Sequence, residues 1–139
     1  MSQYTAPLDD IRFVLDDVLD AQSLFARLGH ADATPDVIDA VLEEAARFSA
    51  SVLAPLNAVG DQQGCRHDPA TGDVTTPEGF KAAYQQYVEG GWTGLTAAPE
   101  FGGQGLPHLV GTIVSEMING ANLAWGNFPL LSYGATEAL

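Results

Sequence analysis

The chain has 139 residues, a length that fits one ordinary domain able to bury a core of its own. Five Lys and Arg against eighteen Asp and Glu leave a formal charge of -13 at pH 7, which repels phosphate backbones and argues against nucleic acid as a partner. No window approaches the ~18 uninterrupted apolar residues of a membrane span. Cys65 is the only cysteine, so the sequence allows no internal disulfide. The acidic start "MSQYTAPLDDIRFVLDD" lacks the basic opening of a secretory signal, and a cytoplasmic location is the expectation.

In chain order, "LDDIRFVLDDVLD" places Ile11, Val14, Leu15, Val18 and Leu19 on one helical stripe with aspartates around it. After a turn at Gly29, Thr34 is placed to cap a second helix, Pro35 suits its first position and Asp36 favours the dipole. Its buried face is Val37, Ile38, Val41, Leu42, Ala45, Phe48, Val52 and Leu53, and Pro55 is expected to stop it. Residues 57–76, with three glycines and an Asp-Pro step, read as a surface loop with a short hairpin near Gly72. Thr76, Pro77 and Glu78 repeat the helix-start chemistry. Phe80, Tyr84, Tyr87 and Val88 line the helix that follows, and Gly90-Gly91 end it. After the glycine-rich stretch "EFGGQGLP", one helix runs to about Asn119 and a second, weaker one continues to the end, kinked or restarted at Pro129. The class is all-α, about five helices with one long surface loop.

A glycine-rich turn that opens a helix can cradle an anion. "GGQGLP" has neither the third glycine of a dinucleotide fingerprint nor the Lys-Ser or Lys-Thr pair of a phosphate loop. The physical reading is a tight left-handed turn built on Gly102, Gly103 and Gly105.

Read together, "GWTGLTAAPEFGGQGLPHLVGTIVSEM" resembles the amino-terminal helical domain of acyl-CoA dehydrogenases. Trp92, Glu100, Phe101, Gly102, Gly103, Gly105, Leu106 and Glu116 are the matching positions. The segments "YTAPLDD", "VLAPLN", "GDQQGC" and "VTTPEGFKAAYQQY" resemble the longer subgroup with an amino-terminal extension. That branch includes dehydrogenases acting on 3-methylthiopropanoyl-CoA and related thioesters. The implied division is an extension over 1–56, the loop over 57–76 and the first part of the helical domain over 77–139.

The resemblance implies α,β-dehydrogenation of an acyl-CoA, in which a glutamate takes the α-proton while the β-hydrogen leaves as hydride to FAD. The family's flavin site and catalytic glutamate would lie beyond Leu139, so no catalytic or cofactor-binding residue is assigned within this chain. The resemblance further implies an acyl-CoA substrate, the remaining domains of the enzyme as partners, a homo-oligomer and an electron-transfer acceptor, within fatty acid metabolism.

Continuation without gaps from Gly102 puts residues 122–133 on one wall of the acyl pocket, with Trp125, Gly126, Phe128 and Leu130 as nominees. The alternative for each is plain core packing. Glu116 reads as a structural partner, not the family's base. Cys65 and His67 are too few for a metal site, with His30 and His108 distant in sequence. Two functions compete: a segment of the dehydrogenase, which predicts an exposed apolar patch where further domains dock, or a non-catalytic interaction module that keeps the fold. "YGATEAL", which stops without a capping signal, favours the first.

Overall fold

The computed structural model describes residues 4–138 and is 69% helical, with one two-stranded ribbon. Leu139, the expected end of the last domain, lies outside the described residues, as do the first three residues of the acidic start. Helix α1 (Leu8–Phe13) runs into a π-helical turn at Val14–Val18. The wider turn rotates the expected stripe. Leu15 is buried and Ile11 half-buried, whereas Val14, Val18 and Leu19 face outward. Asp20, in a left-handed conformation (φ 48°), separates this turn from α2 (Ala21–Arg27), a helix to which the sequence reading assigned nothing.

Gly29 turns the chain at φ 87°. Thr34 then caps α3 (Pro35–Phe48) as its side chain and Pro35 suggest, its hydroxyl accepting from the Val37 amide at 3.4 Å. Ile38, Leu42, Ala45 and Phe48 form the buried stripe, while Val37 is exposed. Pro55 does not end this helix. A π-helical turn at Ser49–Leu53 leads directly into α4 (Ala54–Gln63), and the Ala54 amide bonds to the Ser49 carbonyl five residues back. The wider turn ahead of Pro55 accommodates a ring and a missing N–H that a regular helix would not. Residues 57–63 of the expected loop are therefore helical. The remainder holds the hairpin: β1 (Arg66–His67) pairs antiparallel with β2 (Val74–Thr75), and Gly72 turns at φ 79°.

Helix α5 (Phe80–Glu89) starts three residues later than its cap chemistry suggests. Thr76 does not cap it. Pro77 is buried and accepts the Phe80 amide, the Glu78 amide goes to the Gln63 side chain, and Gly79 at φ 83° enters the helix. Phe80, Ala83 and Tyr87 are buried, Tyr84 half-buried and Val88 exposed, and Gly90 closes the helix.

The last helix, α6 (His108–Ala138), breaks at Asn122 (φ -159°, ψ 88°) and remains helical through Pro129. The restart belongs to Asn122, not to the proline. Its buried carboxamide accepts the Trp125 amide at 3.0 Å as a cap for the second arm, 123–138, and donates to the Leu53 carbonyl at 3.2 Å. Helix α6 packs on α3 and α4, and Val110, Met117, Ile118 and Ala121 of its first arm, 108–121, are buried in the core.

Candidate functional site

The glycine-rich stretch is a closed backbone knot. Gly102 and Gly105 have φ of 83° and 66°, in the left-handed region that glycine enters at no steric cost. Gly103 is required for a different reason. Its φ is not in the left-handed region, but a Cβ there would stand 2.0 Å from the Ala97 carbonyl oxygen. The amides of Gly102, Gly103, Gln104, Gly105 and Leu106 donate to the carbonyls of Pro99, Ala98, Gly94, Ala97 and Leu95 at 2.8–3.1 Å. These five amides are therefore committed to backbone carbonyls within the knot and its flanking turn. His30 Nδ1 lies 3.1 Å from the Gly105 carbonyl and ties the turn after α2 to the knot.

The knot aims α6. Its two arms fold back on each other, and a groove of about 400 Å³ opens between them and the turn at 92–96. Gly126 permits the close approach, because a Cβ there would meet Asn119 Oδ1 at 2.2 Å. Gly111 does the same against Thr96, whose Cγ2 would be 2.6 Å from a Cβ. Leu95, Val114, Ile118 and Leu130 supply apolar lining, and Ser115, Glu116 and Asn119 bring polar groups along one side. The Tyr133 hydroxyl and His108 Nδ1 are hydrogen-bonded at 3.2 Å, which joins the far end of the second arm to the start of the first.

The four nominated wall residues do not share one surface. Gly126 and Leu130 line this groove. Phe128 points to another face, edge-on to Phe80 with centroids 6.0 Å apart. Trp125 has no accessible surface and stands at the centre of the core, edge-on to Phe48 and Tyr87, with its indole N–H donating to the Phe80 carbonyl at 3.2 Å. Asn122 and Gly111, which shape the groove, escaped the sequence reading. An Asn three residues before a buried Trp was the available cap signal.

The carboxylate on the groove's lining is that of Glu116, which is exposed. Glu116 also acts on Tyr4, whose phenol is pushed up first by burial and then by that carboxylate. The Tyr87 phenol, bonded to the Trp92 carbonyl at 3.4 Å, is raised to about 12, mainly by burial and further by Tyr84. Among the described residues no three His, Cys, Asp or Glu side chains gather as metal ligands.

Over 136 residues, 98% of its length, the chain is 39% identical to 3-methylmercaptopropionyl-CoA dehydrogenase from Ruegeria pomeroyi. This chain is related to an acyl-CoA dehydrogenase. It spans 23% of that relative's length. No family model matches the chain. No helix among the described residues is long and apolar enough to cross a membrane.

Proposed function

We propose that this chain is the amino-terminal portion of a flavin-dependent acyl-CoA dehydrogenase and that the groove between the arms of α6 forms part of the wall of its acyl pocket. The observation that carries the reading is sequence identity extending over nearly the whole chain to a dehydrogenase of an acyl-CoA thioester. The groove suits the role: Gly126 and Leu130 line it, and slots of this kind discriminate chains by volume at roughly 1–3 kcal/mol per methylene. Exposed apolar side chains on the second arm, Leu123, Leu130 and Leu131, fit a surface that further domains cover.

FAD and the catalytic base are assigned to segments outside these residues. The assignment rests on the resemblance of the glycine-rich stretch and its flanks to the family's amino-terminal helical domain. When bound, the flavin would supply the hydride acceptor. The part left to this chain is to bind the acyl tail, orient it and exclude water. An acyl-CoA substrate, a homo-oligomer, an electron-transfer acceptor and a cytoplasmic setting belong to the same proposal.

The test is to express the complete reading frame that contains these residues and assay anaerobic bleaching of bound flavin by short acyl-CoA thioesters. Bleaching with formation of the enoyl-CoA is expected. A purified product without flavin and without thioester oxidation contradicts the reading.

A further inference from the structure

A second pocket, of about 430 Å³, lies on the other face of the second arm, between Phe128, strand β2 and the start of α5. It is independent of the acyl groove. Phe80, Tyr84 and Phe128 give it three aromatic walls, and Val74 and Thr76 form its hairpin side. Its floor is fixed, because Phe80 is 4% exposed and its carbonyl holds the indole of the buried Trp125. Phe128 stands edge-on to Phe80 and is still 41% exposed, which leaves ring surface for a ligand to cover.

The remaining lining residue is Lys81, the only lysine in the sequence. Arg12 is engaged by Asp39 and Glu43, and Arg47 by Glu44. Among the described residues Lys81 makes no ion pair, although the chain carries eighteen carboxylates. Val74, which lines the pocket, is paired across the ribbon with His67. An unpaired ammonium beside exposed aromatic surface recognises an apolar body that carries one negative charge.

We propose that this pocket binds a small organic anion with an aromatic body, its ring against Phe80 and Phe128 and its charged group at Lys81. The test is an NMR titration of the protein with phenylacetate and, separately, with its neutral analogue phenylacetamide. Saturable shifts at Val74, Lys81 and Phe128 are expected with phenylacetate. Affinity should be about threefold weaker for the amide and for phenylacetate on Lys81→Met, the scale of one partly exposed charge pair. Lys81 is exposed, so the variant keeps its fold, and an unchanged spectrum away from the pocket verifies this. Absence of saturable shifts at these residues, or equal binding of acid and amide, overturns the proposal.

Discussion

Three glycines separated by at most one residue do two different jobs in the knot. Gly102 has open space around its missing side chain and needs only its positive φ, whereas Gly103 has an ordinary φ and no space. Gly102→Asn should therefore cost less than about 1 kcal/mol, since Asn tolerates the left-handed region. Gly103→Ala should cost about 1–3 kcal/mol, because a backbone carbonyl must move. Thermal melts of the two variants separate strain from contact, and equal losses would contradict the assignment. Tyr87 gives a pH signature. Its folded pKa is raised to about 12 from an ordinary 10.0, so its contribution is fully present below pH 10 and is lost as pH rises toward 12. A shift of that size corresponds to roughly 2–3 kcal/mol. Melting temperatures taken from pH 8 to 11.5 should fall less steeply in Tyr87→Phe than in the parent. Parallel declines would mean that the buried phenol is not the cause.

At the scale of elements, the break in α6 rests on Asn122. Replacing it with alanine removes the cap on Trp125 and the bond to the Leu53 carbonyl. A loss of about 1–2 kcal/mol in urea unfolding is expected, most of it recovered by Asn122→Ser, which keeps a capping oxygen. No difference between the two variants would count against the cap. Helix cores were legible where a stripe and a cap agreed, as in α3 with Thr34, Pro35 and Ile38. Boundaries failed where tertiary packing overrode local chemistry. Pro55 carries a stop signal, yet the π-helical turn ahead of it lets the helix continue, and hydrophobic periodicity does not announce such a turn. Thr76 and Pro77 carry a start signal, yet burial of Pro77 and the Gln63 bond to the Glu78 amide hold them in a turn. The proposed wall segment 122–133 rests on resemblance, which does not tell its faces apart. Trp125 and Phe128 look alike as apolar neighbours of Gly126, and only the packing against Phe48, Tyr87 and Phe80 separates them from the groove.

For the whole molecule, the knot, the Asn122 break and the close approaches at Gly111 and Gly126 converge on one result, a helical hairpin held open along one side. We propose that this groove, and not the Phe128 face, forms the acyl wall of a longer enzyme. Its direct test is kcat/KM of the complete protein toward acyl-CoA thioesters of increasing chain length, for the parent, Leu130→Ala and Phe128→Ala. Leu130→Ala should shift the preference toward longer chains by roughly tenfold per added methylene over the first one or two. Phe128→Ala should leave the profile unchanged. A shift with Phe128→Ala and none with Leu130→Ala would contradict the placement of the wall.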